Sequence, residues 1–225
     1  MLTNRTSRIL EAAIQSFINT GEPVSSGWLF REHDFGIRPA MIRHELELLS
    51  DAGYLEQPHH SSGRVPTDLG YEFFANHFIG ANEARVSVGK LVRLLEKSAF
   101  SEFFGEISED LGLAGAAKAE KNTYKGGIEN LVGNFDWETP QEIKSVVLDF
   151  SALEEKMAKL ANSFFSGDEP RIFVGKKSPV TKSECLSVIF GGYESGNKKV
   201  SIVAIGPKRM DYKKAINMFK GLSRK

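Results

Sequence analysis

Near the start of the chain, apolar residues recur at helical spacing and predict three consecutive helices. The second helix is short and includes Trp28, with Ser25 or Ser26 as its N-cap. The third helix begins at Pro39, because proline is favoured in a first helical turn. The apolar face of the first helix consists of Ile9, Leu10, Ala13, Ile14, Phe17 and Ile18. That of the third consists of Ile42, Leu46 and Leu49.

A hairpin is predicted after the third helix. The segment YLEQP predicts a strand, HHSSGR a turn that its glycine permits, and RVPT a returning strand before a fourth helix. This order is typical of a winged helix-turn-helix, whose third helix enters the DNA major groove while the hairpin loop, or wing, contacts the backbone or minor groove. We therefore predict binding to double-stranded DNA, with the wing serines donating to phosphate oxygens. The predicted contacts are Arg38, Ala40, Arg43 and His44 on the helix, and His60, Ser61, Ser62 and Arg64 on the wing.

The wing sequence also suggests two other kinds of site. His59 and His60 could bind a metal ion, but adjacent strand residues point to opposite faces and no cysteine accompanies them. Metal binding is therefore the weaker hypothesis. A phosphate-binding P-loop needs a backbone amide where this chain has Pro66, which excludes that site. For the basic residues of the third helix the alternative is a solvated helix face, and the adjoining hairpin favours DNA.

The rest of the chain mixes helical and strand patterns, which predicts the α+β class. Residues 84–112 carry a helical apolar stripe, and the small, polar residues 113–127 indicate a linker or loop. A long helix is predicted from Pro140 to about Phe165, followed by strands at RIFVG, CLSVIFGGY and KVSIVAIG and a final helix capped by Asp211. The heptad seam of the long helix consists of Val146, Phe150, Leu153, Met157, Leu160 and Phe164.

Charge divides the chain although its formal net charge is zero. Residues 1–80 hold six arginines and no lysine against ten acidic residues, a net charge of −4. Residues 81–170 hold ten basic and sixteen acidic residues, a net charge of −6. Residues 171–225 hold thirteen basic and three acidic residues, a net charge of +10. Such asymmetry indicates separate modules.

The composition of the chain argues against several classes of protein, among them disulfide-bonded proteins, membrane proteins and enzymes. The single cysteine excludes an intrachain disulfide and a cysteine-rich zinc site. The sequence has neither a membrane-spanning apolar run nor the apolar stretch of a signal peptide, so we expect a cytoplasmic protein without membrane contact. It also carries no cofactor or nucleophile motif, so neither an enzyme nor a cofactor is expected. Lys208 and Arg209, beside the start of the final helix, suit either an anion or partner contact or a solvated turn.

Four stretches follow one another along the chain: LTNRTSRILEAAIQSFINTGEPVSS, RPAMIRHELELLSDAGYLEQPHHSSGRVPTDLGYEFF, GGIENLVGNF and IGPKRMDYKKAI. In sequence and in order they resemble the HrcA family of bacterial heat-shock repressors. The resemblance implies a winged helix-turn-helix domain at residues 1–80 and a reduced GAF-like domain at residues 126–225. It also implies repression of chaperone genes through an inverted-repeat operator, relief of repression by heat, and help from the chaperonin GroEL in reaching the active fold.

The chain departs from the family pattern in two ways. Arg38, Met41 and His44 stand where the family usually carries serine, threonine and asparagine, so the third helix lacks its N-cap oxygen and has altered base-reading positions. The chain is also about a third shorter than expected for the family. It lacks most of the strand-rich middle part, including an insert associated with dimer formation.

An inverted-repeat operator requires a two-fold axis, so we predict a homodimer. Because the usual insert is missing, we place the contact in residues 81–125, interpreted as a helical linker. The heptad seam is expected instead to cover the predicted strands. The candidate dimer contacts are Leu91, Leu95, Phe103 and Ile107.

Two other classes of function stay open from the sequence. The winged helix and the basic C-terminal segment would also suit a protein-interaction module. The GAF-like domain would suit a regulator that responds to a small molecule. A salt titration on duplex DNA separates the first from a repressor, because phosphate contacts make log K fall linearly with log salt. Ligand screening by thermal shift tests the second.

Overall fold

The computed structural model describes residues 2–80, 87–134, 137, 139–160, 169–195 and 198–223. The chain divides into two compact units, Met1–Asn76 and His77–Lys225. Helices and sheet are mixed, so the α+β class is confirmed. Among the helices of these residues, none combines the length and the apolar character that a bilayer crossing needs.

The first unit contains three helices and a hairpin in the predicted order. Its elements are α1 (Asn4–Thr20), α2 (Ser26–Glu32), α3 (Pro39–Asp51), β1 (Leu55–Glu56) and β2 (Val65–Pro66), followed by α4 (Asp68–Gly80), which begins in this unit. The two strands pair antiparallel, with Leu55 opposite Pro66. The fully buried residues of this core include Ile9, Leu10, Ile14, Leu29, Ile42 and Leu49.

Caps define where these helices begin. The side chain of Ser25 accepts a hydrogen bond from the Trp28 amide at 3.1 Å, which caps α2. Thr67 Oγ1 accepts from an amide in the first turn of α4 at 3.2 Å. The third helix begins at Pro39 as predicted, and its N-cap, Arg38, makes no side-chain cap hydrogen bond. The predicted loss of the N-cap oxygen is therefore confirmed.

The second unit is built on a five-stranded antiparallel sheet. Its helices are α5 (Gly89–Glu96), α6 (Phe100–Leu111), α7 (Ile128–Asn134), α8 (Pro140–Ser151), α9 (Leu153–Leu160) and α10 (Tyr212–Ser223), with a 3-10 helix at Gly175–Lys177. Its strands are β3 (Ala114–Ala119), β4 (Asn122–Gly126), β5 (Arg171–Val174), β6 (Leu186–Ser195) and β7 (Lys198–Pro207), in the spatial order β4-β3-β7-β6-β5. Residues of α7, α8 and α9 share a core with one sheet face.

The hairpin of β3 and β4 shows that the linker predicted at residues 113–127 is wrong. A Cβ atom on Gly126 would lie 2.6 Å from Cβ of Phe104 in α6, and one on Gly115 would lie 2.3 Å from the carbonyl oxygen of Val203. Small residues are needed here because helix and strand backbones come close together. β3 pairs with both β4 and β7 and is therefore an interior strand of the sheet, with β4 at its edge.

The predicted dimer contact on α5 and α6 lies inside the second unit, so that prediction is also wrong. Leu95 and Phe103 are 0% exposed, Ile107 is 2% exposed, and Leu91 is half-buried. A second chain cannot contact the three buried side chains unless the fold opens. An apolar helical stripe has the same sequence pattern whether it faces its own domain or another chain, and here α6 packs on β3 and β4.

The long helix predicted from Pro140 is divided into α8 and α9, and its predicted end at Phe164 and Phe165 lies outside the described residues. Lys125 Nζ donates to the carbonyl oxygens of Phe150 at 3.4 Å and Ser151 at 3.0 Å, which a continuous helix would use internally. The prediction that the heptad seam covers the strands is confirmed. The seam residues in the core with the sheet are Val146, Phe150, Leu153 and Met157, with Leu160 packed against it.

Candidate nucleic-acid interface

The outer face of α3 carries charged side chains together with two large, exposed apolar residues, while three other apolar residues point inward. Ile42 and Leu49 are fully buried and Leu46 is 4% exposed. Met41 and Leu48 are also on the outside, at 45% and 46% exposure. The predicted contacts on this helix, Arg38, Ala40, Arg43 and His44, are all exposed.

The wing, residues 57–64, is held against the segment that precedes α2. The Val24 amide donates to the Arg64 carbonyl oxygen at 2.8 Å, and the Arg64 amide donates to the Val24 carbonyl oxygen at 2.8 Å. A Cβ atom on Gly63 would lie 2.5 Å from the carbonyl oxygens of Pro23 and Val24. Gly63 does not have a positive φ, so its role is this close approach rather than the predicted turn. The sequence did not indicate Val24, because one isolated bridge leaves no strand pattern.

Hydrogen bonds within the wing fix its tip. Ser62 Oγ donates to the His59 carbonyl oxygen at 2.7 Å and accepts from the His59 amide at 3.0 Å. Gln57 Nε2 donates to the carbonyl oxygens of His60 at 3.0 Å and Ser62 at 2.9 Å. The Ser62 hydroxyl therefore stabilises the turn, which corrects its predicted role as a phosphate donor. Sequence reasoning also missed Gln57, because an isolated amide carries no pattern.

A cleft of about 450 Å³ lies between α3, the start of α2 and the wing. It brings together five of the eight predicted contacts, whereas Arg38, Ala40 and His44 lie exposed on α3 outside its lining. The predicted residues that line it are Arg43, His60, Ser61, Ser62 and Arg64. The lining residues that were not predicted as contacts are Val24, Ser25, Ser26, Leu46, Glu47, Gln57 and Gly63.

The cleft offers hydrogen-bond donors to an anion. Arg43 and Arg64 contribute guanidinium groups, and Glu47 contributes one carboxylate of opposite sign. Nε of Arg64 is buried and has no hydrogen-bond acceptor within the described part of the chain. Guanidinium groups form strong, charge-assisted hydrogen bonds with phosphate oxygens. The cleft is therefore chemically suited to a phosphate group, and the carboxylate of Glu47 weakens this attraction.

The remaining sequence candidates lie elsewhere. His59 and His60 follow one another in the wing, and the described residues contain no group of three or more histidine, cysteine or acidic side chains that could hold a metal ion. Lys208 and Arg209 lie in the turn between β7 and α10. There the Asp211 carboxylate accepts from the Lys214 amide at 2.9 Å, which is the predicted cap. A carboxylate thus already occupies the helix start where the sequence suggested an external anion.

Comparison with known families gives one match across most of the second unit. The model of the HrcA protein C terminal domain matches residues 72–216. A crystal structure of a protein described only as hypothetical matches 99% of this chain and 95% of its own, with a TM-score of 0.72 and 17% sequence identity. At that identity the likeness concerns the fold alone.

Two curated relatives are also similar to this chain, and one of them aligns over the whole length of the chain. A heat-inducible transcription repressor HrcA from Thermodesulfovibrio yellowstonii is 24% identical over 336 aligned positions, covering 100% of this chain and 97% of that protein. The alignment is longer than the 225-residue chain, so that relative contains segments that this chain lacks. A protein of the same name from Carboxydothermus hydrogenoformans is 44% identical over 79 residues, which are 35% of this chain and 23% of that protein.

Proposed function

Because the chain belongs to the HrcA family, we propose that it is a heat-inducible transcription repressor that acts in the cytoplasm. Its curated relatives carry that name. In this proposal the first unit is a winged helix-turn-helix that binds double-stranded DNA, and the second unit is a reduced GAF-like domain that makes repression sensitive to heat.

One observation carries the DNA-binding part of the proposal. Arg43 of α3 and Arg64 of the wing line one cleft, together with wing residues that the sequence indicates independently. In winged helices the third helix enters the major groove and the wing contacts the backbone or minor groove. We therefore assign base contacts to the outer face of α3 and phosphate contacts to Arg64 and Ser61.

The operator is proposed to be an inverted repeat near chaperone genes, bound by two copies of the chain. A single helix-turn-helix contacts too little of the duplex for tight specific binding, and an inverted repeat matches a two-fold axis. The family resemblance adds the chaperonin GroEL as a partner in folding. The resemblance supports these parts, and the geometry of the cleft supports DNA binding itself.

The marginal stability of folded domains explains how heat would relieve repression. A domain stabilised by only about 5–15 kcal/mol loses its folded fraction steeply near its melting temperature. If unfolding of the second unit releases DNA, loss of operator occupancy and loss of that unit's structure should occur at the same temperature. Repression would then need no small-molecule inducer.

A salt titration tests the proposal. The wild-type chain first selects a duplex from a randomised library, and affinity is then measured over a range of salt concentrations. We expect log K to fall linearly with log salt, since phosphate contacts release counterions. Arg31, an exposed arginine of α2 outside the cleft, provides the control. Arg31→Ala should leave the slope unchanged, and a wild-type chain that selects no duplex would contradict the proposal.

A further inference from the structure

A buried carboxylate on α3 lies behind the proposed DNA-contacting face. Glu45 is 4% exposed. Its Oε1 accepts a hydrogen bond from Nε of Arg5 at 3.0 Å, and Nη2 of Arg5 lies 2.9 Å from the same oxygen in an ion pair. Its Oε2 accepts from Oγ1 of Thr6 at 2.9 Å. Both partners belong to α1, so this carboxylate joins the two helices through three polar contacts.

The α1 side of this network is ordered by the helix cap. Thr3, the N-cap of α1, accepts a hydrogen bond from the Thr6 amide at 3.1 Å. The Thr3 and Thr6 hydroxyl oxygens lie 2.6 Å apart. With the Thr6 hydrogen directed at Glu45, Thr3 is the donor of that pair. Thr6 therefore reaches the carboxylate from a fixed position at the start of the helix.

These hydrogen bonds constrain α3 differently from apolar packing. Buried apolar residues such as Ile9 and Ile42 also hold α1 and α3 together, but the hydrophobic effect is non-directional and tolerates small rotations. Hydrogen bonds require narrow ranges of distance and angle. A buried carboxylate that loses its donors is strongly unfavourable. The helix is thus held in the orientation in which Glu45 meets Arg5 and Thr6.

We infer that Glu45 is a positioning residue for DNA recognition, fixing the rotation of α3 from which Arg43 and His44 meet the bases. This role presupposes the DNA-binding function proposed above. Arg43 lies about 200° and His44 about 100° from Glu45 around the helix axis. A rotation of the helix that displaces Glu45 therefore turns both residues through the same angle. Binding sites need their groups held within about 10–20° of the productive geometry. Attraction to phosphate charge is far less sensitive to such a rotation.

Thr6→Val and Thr6→Ser form the matched pair that tests this inference. Valine keeps the side-chain volume but removes the donor to Glu45, whereas serine keeps the hydroxyl. Affinities are measured for the duplex that the wild-type chain selects and for an unrelated duplex of equal length. We expect Thr6→Val to lower the ratio of these affinities at least about tenfold. The affinity for the unrelated duplex should stay within about twofold, and Thr6→Ser should retain the wild-type ratio.

Two further measurements separate positioning from stability. Ile14→Val trims a fully buried residue of α1 outside the network, so it should lower stability without changing the ratio. Amide chemical shifts of residues 40–48 report the orientation of α3 without DNA, and they should change in Thr6→Val but not in Thr6→Ser.

If Thr6→Val does not fold, Glu45→Gln replaces it. Glutamine keeps the volume but turns an amide towards Thr6, so the ratio should fall several-fold.

The outcomes are distinguishable. An unchanged ratio in the folded variant, or equal losses on both duplexes, overturns the positioning role while DNA binding stands. A wild-type chain that selects no duplex overturns the proposed function and, with it, this inference.

Discussion

Each unit uses a carboxylate to tie a helix to its surroundings, but the two helices present different surfaces. In the first unit, Glu45 ties α3 to α1 while Arg43 remains exposed on the other side of α3. In the second unit, Asp149 of α8 accepts from Lys156 Nζ at 2.6 Å and from Thr181 Oγ1 at 2.7 Å. The buried sides of α8 and α9 pack on the sheet. A hydrogen-bonded carboxylate therefore orients the exposed face that carries Arg43 in the first unit, and it holds a helix that packs on the sheet in the second.

The side chains that an anchored helix exposes therefore indicate its function better than the anchor itself does. Arg43 and Glu47 of α3 line one cleft with residues of the wing. In the second unit, small residues of β3 and β4 let α6 come close to the sheet, and Phe104 packs directly against Gly126. We therefore expect changes at the surface of the first unit to affect DNA binding and changes in the core of the second unit to affect folding.

The largest effect is expected from Leu95→Asp. A carboxylate at a site that is 0% exposed has no donor designed for it, so the second unit should lose more than about 4 kcal/mol and unfold. Leu148→Asp is the matched control, because Leu148 is 60% exposed and should change stability by less than about 0.5 kcal/mol. Circular dichroism melting distinguishes the two. If Leu95→Asp instead gave a folded monomer, Leu95 would have to lie at a dimer contact, which would contradict its burial inside the second unit.

Arg43→Ala should have the next largest effect, on DNA binding rather than folding. Loss of a base contact costs about 1–3 kcal/mol on the selected duplex and flattens the preference for it over point-mutated duplexes. Fluorescence anisotropy at one fixed salt concentration measures both quantities. Equal weakening on every duplex would show instead that Arg43 contacts phosphate.

Arg64→Ala should weaken binding without changing sequence preference. Since we assign Arg64 to the DNA backbone, its removal should reduce affinity for selected and random duplexes alike and lower the salt slope by about one unit. Salt titrations of the variant and of the wild-type chain, run in parallel, give the difference. A change in sequence preference at an unchanged slope would assign Arg64 to a base instead.

The smallest effect concerns Asp149 and pH. Burial raises the pKa of Asp149, but hydrogen bonds from Lys156, Thr181 and the Lys182 amide, with the charge of Lys156, outweigh it and hold the pKa below its ordinary value of 3.8. A lowered folded-state pKa stabilises the protein above the unfolded pKa, and this contribution is lost as pH falls through the folded one. Asp149→Asn should therefore lower stability near neutral pH and flatten the acid dependence below about pH 4.

Urea midpoints across that pH range measure this effect. Glu155→Gln, which removes an exposed ion pair with Lys159, is the control and should change the midpoint less. Parallel pH profiles for Asp149→Asn and the wild-type chain would show that Asp149 does not contribute in this way.

The sequence predicted the first unit better than the second for physical reasons. Amphipathic helices such as α1 and α3 leave a clear periodic pattern, and Pro39 marked a helix start. The strand β3, with the sequence AGAAKA, lacks the β-branched and aromatic residues that usually signal a strand, because its neighbours lie so close. The stripe of α5 and α6 had the correct period, but periodicity alone does not identify the surface that covers it.

At the candidate site, the sequence predicted which residues face outward but not how they are held. Arg43 and Arg64 were indicated by helix phase and by the wing motif. Val24 and Gln57, which fix the wing, and Thr6, which contacts Glu45, act through contacts between distant parts of the chain. Such contacts depend on tertiary structure and leave no local pattern.

A residue-level map of the DNA-binding surface shows whether α3 and the wing contact DNA. Isotope-labelled chain is titrated with the duplex that the wild-type protein selects, and amide chemical shifts are followed by NMR. We expect the largest shifts at residues 40–48 of α3 and 59–64 of the wing, with little change at Lys208 or Arg209. Shifts concentrated in the second unit, with α3 and the wing unaffected, would contradict this assignment of the DNA-binding surface.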